Sequence, residues 1–358
     1  MLSFCGSICN SYAQEIEIQN DWYPVKPLYK EDTLTIRFFG DIMMHTAQIE
    51  ASSKGYSKYF MHLEDKIKGA DIAVANMEFT LGGTPYTGYP AFSAPDDYAT
   101  YLAKCGFDIF LCANNHIFDK GSRGAERTLN IYRSLKDEYG IEYTGLYLNE
   151  DELERNFPFV ITRKGMRISL INMTYGTNLG ATFHWPKVIY QGEKRLIEQA
   201  LTKSETISDL SIALPHWGTE YQLLHSDSQE NTANWLIQKG ADIIIGCHPH
   251  VAQDTEFING VPVAYSMGNL VSNMSAANTQ LGLMITLRLV RNINGDIRML
   301  PIQLTHLWCS RPGGLTDSYS VIPIEDFIGK SDLWIGKWDY DKMVTTYERV
   351  RKTHNNEH

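Results

Sequence analysis

A pattern that recurs along this chain restricts it to one class of fold. The full pattern is a Gly at the end of a helix, an Asp, a short apolar strand, and then a polar side chain that can bind a ligand. Three copies contain the Gly, and a fourth begins at its Asp: Gly69-Ala70-Asp71 to Asn76, Gly106-Phe107-Asp108 to Asn114, Gly240-Ala241-Asp242 to His248, and Asp209 to His216. Because strands alternate with helices, we predict crossover units and an α/β fold with a largely parallel sheet core.

One of these strands indicates where a functional site would lie. The apolar residues from Phe107 to Leu111 predict a strand buried on both faces, and Asn114, Asn115 and His116 follow it closely. Ligands bind at the carboxyl ends of strands in α/β folds. The same residues are equally consistent with a turn in which the Asn side chains bind backbone groups. This stretch alone does not decide between a site and a turn.

The other strand ends carry the same kinds of side chain. Together they hold five of the eleven His, with Asp, Glu and Asn: Asp41, His45, Asn76, Glu78, Asn114, Asn115, His116, His216, His248 and His250. Imidazole, carboxylate and amide groups without a thiolate are typical ligands of Mn, Fe or Zn in catalytic sites. A single His at a strand end is usually structural, but five such ends favour a metal site. One carboxylate can bridge two cations, which together activate water and stabilise charge on the attacked group.

Composition excludes other classes of function. The 358 residues carry a formal net charge of −10 and a pI near 5.6, whereas a nucleic-acid surface needs a basic patch. We therefore predict no nucleic-acid partner. No run of about 18 apolar residues occurs, so the sequence predicts no transmembrane helix.

The first residues differ from the rest. The segment from Met1 to Ala13 is apolar, rich in small residues and followed by a polar stretch, which resembles the end of a secretory signal. It lacks a positively charged start, and an unstructured terminus is the alternative. We expect an exported protein, in the periplasm or at the cell surface, in which residues 14–32 form an extended arm. The scattered cysteines are expected to be buried free thiols: Cys105, Cys112, Cys247 and Cys309.

Six short motifs occur in order along the chain. They are Gly40-Asp41-Ile42-Met43-Met44-His45, Asn76-Met77-Glu78, Asn114-Asn115-His116 with Asp119 and Gly121, His216-Trp217-Gly218-Thr219-Glu220-Tyr221, Gly246-Cys247-His248-Pro249-His250 and Tyr265-Ser266-Met267-Gly268-Asn269. This ordered set resembles the CapA/PgsA family of bacterial capsule or poly-γ-glutamate synthesis proteins, over residues 33–275. The loop from Tyr175 to Asn178 is also similar to a loop of that family.

The CapA/PgsA family is allied to the calcineurin-like metallophosphoesterases. The resemblance therefore implies a four-layer α/β/β/α sandwich of two mixed sheets, with two divalent metal ions, Mn, Fe or Zn, at the strand ends. It implies one such domain over residues 33–275, which hairpin strands and a helical tail in residues 276–358 complete.

Carried over residue by residue, the resemblance implies six metal ligands: Asp41, Glu78, Asn115, His216, His248 and His250. Glu78 would take the bridging role that metallophosphoesterases usually give to Asp. His116 would stabilise the transition state or protonate the leaving group, and Asp119 would orient it. A further set is expected to contact substrate or support the ligands: His45, Asn76, Asn114, Tyr175, Asn178, Glu220, Tyr221 and Asn269.

The chain departs from the wider superfamily at several of these positions. Ordinary metallophosphoesterases have Asp-x-His in the first motif, whereas His45 lies four residues after Asp41 and is left out of the ligand set. Glu220 and Tyr221 either line a substrate groove or support His216. Asn269 either reaches the site or caps a turn, and Asn114 is expected to form a turn rather than bind metal.

Three functions are compatible with these residues. The first is a metal-dependent hydrolase or transferase acting on a cell-envelope polymer, such as poly-γ-glutamate, or on a phosphoester. The second is a non-catalytic component of membrane capsule-synthesis machinery that binds or exports the polymer. The third is a secreted general phosphodiesterase or nucleotidase that uses the same site with a different pocket.

Overall fold

The computed structural model of the protein describes residues 30–180 and 183–355. The predicted secretory signal, residues 1–13, lies outside the described residues, and so does the predicted arm except for residues 30–32. No helix within the described ranges is long and apolar enough to cross a membrane.

Strands and helices alternate over much of the chain. The strands are β1 (Asp32–Ile42), β2 (Ile72–Met77), β3 (Ile109–Leu111), β4 (Glu142–Thr144), β5 (Leu146–Tyr147), β6 (Phe159–Arg163), β7 (Met166–Thr174), β8 (Lys187–Val188), β9 (Leu210–His216), β10 (Ile243–Ile245), β11 (Thr255–Ile258), β12 (Val261–Ala264), β13 (Asn269–Val271), β14 (Leu281–Arg291), β15 (Ile297–Met299), β16 (Gln303–Ser310) and β17 (Ser320–Pro323). The α-helices are α1 (Thr46–Ala51), α2 (Glu64–Lys68), α3 (Asp96–Cys105), α4 (Gly121–Tyr139), α5 (Glu150–Asn156), α6 (Lys194–Ile207), α7 (Asp227–Gln238), α8 (Ile324–Phe327) and α9 (Lys337–Asn355). Ser52–Lys54 and Ser331–Leu333 form 3-10 helical turns.

Two large sheets organise the molecule. The first has nine strands in the order β17-β16-β14-β1-β2-β3-β4, with β13 beside β1 and β15 beside β14. The second has six strands in the order β11-β12-β10-β9-β7-β6. Neighbours are parallel within β1–β4 and within the group of β7, β9, β10 and β12. The strands β6, β11 and β14–β17 pair antiparallel, so both sheets are mixed around a parallel core.

The recurring Asp has the same structural role in all four copies of the pattern. Its backbone N–H donates to the carbonyl of one residue in the neighbouring parallel strand, and its carboxylate accepts the N–H of that same residue. The four pairs are Asp71 with Thr35, Asp108 with Ala73, Asp209 with Arg167 and Asp242 with Ser211. The Asp thereby supplies hydrogen-bond partners to backbone groups at the amino end of each strand pair, where the hydrogen bonds between the strands do not reach.

Side-chain packing divides the molecule into four layers. One cluster of buried side chains joins the facing surfaces of the two sheets, with Ile36 from β1 and Ile212 from β9 among its members. A second cluster packs α2, α3 and α4 on the outer face of the nine-stranded sheet. A third packs α6 and α7 on the outer face of the six-stranded sheet. The fold is an α/β/β/α sandwich of two mixed sheets, so the predicted class is confirmed.

The chain after residue 275 adds strands to the nine-stranded sheet. β14 and β15 form a hairpin, and the N–H of Gly295 in its turn donates to the carbonyl of Asn292 at 3.0 Å. Helix α9 packs Met343 and Val350 into the cluster between the sheets. The four cysteines within the described residues are free thiols; Cys112, Cys247 and Cys309 are buried, as predicted, whereas Cys105 is only partly buried.

Candidate metal centre

The ligand candidates come together where strands of both sheets end. Asp41 lies at the end of β1, Glu78 follows β2 and His216 ends β9, while His248 and His250 follow β10. The parallel strands of each sheet end at one edge, and the stacking of the sheets brings the two edges together. All five side chains are buried.

Two groups of potential ligand atoms share Glu78. One group contains Asp41, Glu78 and His216, and the other contains Glu78, His248 and His250; within each, the atoms lie within 4.8 Å of one another. Oε1 of Glu78 is 3.7 Å from Nε2 of His216 and 3.7 Å from Nε2 of His250. A carboxylate shared by two such groups has the position of a bridge between two cations.

The Glu78 carboxylate is unsatisfied by the rest of the described protein. Both of its oxygens are buried and accept no hydrogen bond from the described residues. Burial, followed by the charge of Asp41, raises the pKa of Glu78 well above its usual value. Buried carboxylates are normally paired with a cation or coordinate a metal, so the residues present fit a metal centre.

Asp41 is held by polar neighbours. Its Oδ1 accepts a hydrogen bond from Nδ2 of Asn76 at 2.7 Å, and its Oδ2 lies 3.5 Å from Nδ1 of His250. Burial raises the pKa of Asp41, but the contacts with His250, His216 and Asn76 outweigh burial and lower the pKa below its usual range. The carboxyl is therefore charged at neutral pH, as a metal ligand must be.

The imidazoles of His216 and His248 are neutral. Burial, reinforced by His248, lowers the pKa of His216 well below its usual value, and burial together with His250 lowers the pKa of His248 to about 3. A neutral imidazole keeps a lone pair for a metal. Nδ1 of His248 is buried without a hydrogen-bond partner in the described residues, and Nε2 of His216 lies 2.7 Å from Oδ1 of Asn115. Asn115 is thus adjacent to the ligand groups.

The backbone is unusual at the ligand candidates. His248 and His250 have φ angles of +102° and +59°, a region that costs energy for residues other than Gly. Gly40, before Asp41, is required by close approach, because a Cβ there would lie 1.8 Å from the carbonyl oxygen of Gly268. The N–H of Asp41 donates to that same oxygen at 2.9 Å. The fold therefore imposes the positions of these side chains.

His116 and Asp119 form a pair at the edge of the two ligand groups. Nδ1 of His116 lies 2.7 Å from Oδ2 of Asp119, and Nε2 lies 3.9 Å from Oε1 of Glu78. The same Asp119 oxygen accepts the N–H of Phe92 at 2.7 Å. The Phe92 ring packs edge-to-face on His116, with centroids 4.6 Å apart. Asp119 and Phe92 together orient His116 so that Nε2 faces Glu78.

His45 lies beside the two ligand groups and belongs to neither of them. Its Nδ1 accepts the backbone N–H of Asn273 at 3.3 Å, and its ring packs edge-to-face on Phe92 with centroids 5.1 Å apart. Phe92 therefore separates the imidazoles of His45 and His116. Nothing in the sequence indicated this role, because an apolar residue in an irregular loop has no chemical signature until folding supplies its neighbours.

Asn114 and Asn269 form hydrogen bonds with His116 and His250, respectively. Oδ1 of Asn114 accepts the N–H of His116 at 3.1 Å, which shapes the turn after β3. Oδ1 of Asn269 lies 3.0 Å from Nδ1 of His250, and its Nδ2 donates to the His250 carbonyl at 3.2 Å. Asn269 thus orients an imidazole that faces Glu78 through its other nitrogen.

Two tyrosines stand on the solvent side of the histidines. Tyr175 is 46% exposed, and its ring centroid lies 4.5 Å from that of His248. Tyr221 is 42% exposed, and its ring centroid lies 6.4 Å from that of His250. Each of these partly exposed rings therefore contacts one of the buried ligand candidates.

Asn178 and Glu220 lie outside the two ligand groups. Oδ1 of Asn178 accepts a hydrogen bond from Nδ2 of Asn115 at 3.3 Å, and its Nδ2 lies 3.3 Å from Nδ1 of His116. Asn178 therefore links a ligand candidate to His116. Glu220 is partly exposed, and its charge contributes to the raised pKa of Glu78.

Fold and site define an α/β/β/α protein whose joined strand ends carry buried Asp, Glu and His groups that can bind metal. The sequence profile of the family described as "Bacterial capsule synthesis protein PGA_cap" matches residues 35–274. This match covers more than half of the chain, and the protein belongs to that family. The resemblance to the CapA/PgsA family is confirmed.

Individual relatives agree with this assignment. The PGA biosynthesis protein CapA of Bacillus subtilis (strain 168) is 26% identical over 293 residues, which are 78% of this chain and 74% of that protein. The capsule biosynthesis protein CapA of Bacillus anthracis is 27% identical over 294 residues, 78% of this chain and 70% of that protein. A Staphylococcus aureus structure assigned as a 5'-nucleotidase has a TM-score of 0.49 and 14% identity. It covers 88% of this chain, which spans only 58% of that structure.

Proposed function

We propose that the protein is a metal-dependent hydrolase or transferase of capsule metabolism, acting on poly-γ-glutamate or a related envelope polymer. The observation that supports this most strongly is the Glu78 carboxylate, buried without a partner between two groups of ligand atoms. Two cations would satisfy it, whereas a buried charge without any partner is costly. The proposed ligands are Asp41, Glu78, Asn115, His216, His248 and His250.

His116 is the residue proposed to act on the substrate beside the metals. Two bound divalent cations, Mn, Fe or Zn, would supply Lewis acidity and lower the pKa of water. Nδ1 of His116 is engaged by Asp119 at 2.7 Å, which leaves Nε2 on the side of Glu78. From there His116 donates a proton to the leaving group, or a hydrogen bond to charge that develops in the transition state. Asp119 and Phe92 hold the ring in place, so its orientation costs little during the reaction.

The proposed substrate class is supported by the relatives, and the proposed location by the sequence of residues 1–13. Both are named as CapA proteins of PGA or capsule biosynthesis. We propose that this protein is exported and works in the periplasm or at the cell surface with membrane-bound capsule-synthesis machinery. Cell fractionation tests this directly, because detection of the protein in the cytosol alone would contradict it.

Turnover by metal-loaded protein tests the activity. Protein loaded with Mn or Zn is incubated with poly-γ-glutamate, and chain length and new chain ends are measured; bis(p-nitrophenyl) phosphate is assayed in parallel. We expect polymer processing that is lost in His116→Ala while the metal content is retained. His225→Ala, which removes an imidazole outside the ligand groups, is the matched control and is expected to remain active.

Other outcomes would replace the proposal. Polymer binding without processing, unchanged in His116→Ala, would assign a non-catalytic binding or export role. Turnover of phosphodiesters or nucleotides without polymer processing would assign a general phosphodiesterase. Crystals grown with Mn or Zn are expected to give two anomalous peaks beside Glu78, and the absence of any peak would reject the metal centre.

A further inference from the structure

A cavity of about 640 Å³ lies where the outermost strands of the two sheets approach each other. β4 is the last strand of the nine-stranded sheet and β6 is the last strand of the six-stranded sheet, and both line this edge cavity. Residues near the carboxyl ends of α4, α5 and α6 complete its wall. Its volume is in the range of clefts that bind ligands.

Cationic residues from four different elements line the edge cavity. They are Lys136 of α4, Arg155 of α5, Arg163 of β6 and Lys203 of α6. Among the described residues that line it, Glu142 supplies the only carboxylate, and Lys136 pairs with that carboxylate at 2.7 Å. The wall therefore carries three further positive charges, in a chain whose formal net charge is −10. Such a local excess attracts anions.

The three further cations are available to a ligand. Arg155, Arg163 and Lys203 are exposed, and within the described ranges of the chain none of them takes part in a salt bridge. Burial raises the pKa of Asp108, whereas its hydrogen bond with Ala73 and the charge of Arg163 lower it, so Asp108 balances part of the Arg163 charge. An anion in the edge cavity would thus bind without breaking an existing salt bridge.

Two common structural roles of basic residues explain only some of these positions. Charged side chains on an outermost strand prevent association between sheet edges, which applies to Arg163. A cation in the last turn of a helix interacts favourably with the helix dipole, which applies to Arg155. Neither role applies to Lys203, which precedes the last turn of α6. Neither explains why all of these residues line one cavity.

The edge cavity is separate from the candidate metal centre. None of the proposed metal ligands lines it. Arg163 pairs with Met166 at the start of β7, and Thr174 at the end of β7 pairs with His216. The eight steps from Met166 to Thr174, at about 3.3 Å each, span roughly 26 Å. A ligand that occupied both places would have to be a long, extended chain.

We propose that the edge cavity is a second binding site for an extended polycarboxylate chain, whose carboxylates pair with Arg155, Arg163 and Lys203. The site rests on the proposed function only for the identity of the chain, which is the anionic polymer that reacts at the metal centre. Exposed ion pairs are individually weak, so the affinity of the site increases with the number of carboxylates on one chain. The edge cavity therefore retains long chains near the metals.

Binding of fluorescently labelled poly-γ-glutamate tests the site. Zinc-loaded His116→Ala protein is used, because it is not expected to process the polymer, and anisotropy is measured at low ionic strength. Adding Arg155→Gln, Arg163→Gln and Lys203→Gln together is expected to weaken polymer binding about tenfold, because three weak ion pairs are lost. The difference is expected to disappear at about 1 M salt, where charges are screened beyond roughly 3 Å.

A matched triple variant controls for the change in net charge. Lys54→Gln, Lys330→Gln and Lys337→Gln together remove the same charge from exposed lysines that do not line the edge cavity, and binding is expected to stay as in the parent protein. Hydrogen exchange locates the polymer, and we expect it to protect the backbone of β4 and β6.

Three results would overturn the site. They are unchanged binding in the cavity triple variant, equal weakening in the control triple variant, and protection of other segments without β4 and β6. Displacement of the polymer by free glutamate at the same carboxylate concentration would also reject a polymer site and assign a small-anion site instead.

The proposed function fails separately from the edge cavity. Protein with an intact His116 that binds the polymer through Arg155, Arg163 and Lys203 but never processes it would contradict the proposed function only. Protein that processes the polymer, and whose polymer binding does not depend on these three residues, would contradict the edge cavity only. Binding and processing are therefore measured on the same preparations.

Discussion

Two histidine–aspartate pairs in the described part of the chain have nearly identical geometry. Nδ1 of His116 lies 2.7 Å from Oδ2 of Asp119, and Nδ1 of His225 lies 2.7 Å from Oδ2 of Asp254. In each pair the other ring nitrogen faces a glutamate, at 3.9 Å for His116 and 4.0 Å for His225. Neither the residue types nor these distances distinguish a pair that handles protons from one that holds the structure together.

The two glutamates make the difference. Glu78, opposite His116, is fully buried and its oxygens accept no hydrogen bond from the described residues. Glu256, opposite His225, is 31% exposed and accepts a hydrogen bond from the hydroxyl of Tyr265. The buried Glu78 carboxylate has no hydrogen bond to stabilise its charge, so a bound cation would stabilise it strongly. The Glu256 carboxylate is already stabilised by solvent and by a hydrogen bond.

The surroundings of His225 are structural in character. Its ring stacks on Tyr265 with centroids 3.8 Å apart, and its backbone N–H donates to Asp254 at 2.9 Å. Directly after it, Ser226 accepts the N–H of Gln229 as the amino-terminal cap of α7. The His225 pair therefore fastens the chain at the start of a helix, while the His116 pair faces the ligand groups. The comparison teaches that the environment of the second nitrogen sets the role of such a pair.

The largest expected effect comes from exchanging the two glutamates for glutamine. Glu78→Gln removes the shared ligand, so we expect loss of bound metal and a fall in activity of about a thousandfold. Glu256→Gln, the matched change at the other pair, is expected to keep both metal and activity. Metal analysis of the purified proteins and turnover assays check this. Full metal content in Glu78→Gln, or loss of metal in Glu256→Gln, would remove the distinction drawn between the pairs.

Truncating the two histidines separates catalysis from stability. We expect His116→Ala to reduce kcat by about 10²- to 10⁴-fold, the usual contribution of a positioned acid or base. His225→Ala is expected to leave kcat unchanged and to lower the free energy of unfolding by about 1 kcal/mol through its lost hydrogen bonds. Steady-state kinetics and urea denaturation measure the two effects. A similar loss of kcat in both variants would show that the pairs are not functionally different.

Changing the two aspartates should have smaller effects in the same directions. Asp119→Asn keeps the shape of the side chain but replaces one carboxylate oxygen, an acceptor, by an amide group that donates. This weakens the contact with Nδ1 of His116, so we expect about a 10- to 100-fold loss of activity with metal retained. Asp254→Asn is expected to affect only the stability of the segment before α7. Kinetics and hydrogen exchange of that segment distinguish the two. Wild-type activity in Asp119→Asn would contradict an orienting role for Asp119.

The smallest expected effect is that of metal removal on thermal stability. A ligand that binds only the folded state at a hundred times its Kd stabilises it by about 2.7 kcal/mol, so chelation should lower the Tm of the wild type by several degrees. Glu78→Gln should not respond to the chelator. In the absence of metal and at neutral pH it should unfold at a higher temperature than the wild type. The Glu78 carboxyl, whose pKa burial raises, must take up a proton on folding, whereas glutamine is already neutral. Calorimetry with and without chelator measures both. A chelator-sensitive Glu78→Gln would contradict this.

Much of the fold is encoded locally. Its signals each occupy only a few residues: the apolar strands, the helix ends at Gly, and the Asp that precedes a parallel strand. In the structure each such Asp accepts a hydrogen bond from the neighbouring strand. The His116–Asp119 pair is local as well, since its members are three residues apart. Such features are readable from sequence because neighbours along the chain are also neighbours in space.

Other features could not be predicted from the sequence, because they join residues that are not neighbours along the chain. His225 and Asp254 are 29 residues apart, and nothing in their local sequences marks them as partners. Phe92 contacts His45 and His116 only because a loop before α3 folds against the strand ends. The exposed side of Tyr175 likewise depends on what the rest of the chain leaves uncovered.

By itself, the sequence determined the α/β class, the family and the kinds of side chain at the strand ends. It did so because strand periodicity, helix termini and ordered motifs are properties of short segments. Only the tertiary structure decided that Glu78 lies between two ligand groups. It also distinguished the two histidine–aspartate pairs. Those outcomes depend on burial and on contacts between separate strands and loops, which are set when the two sheets stack and their ends meet.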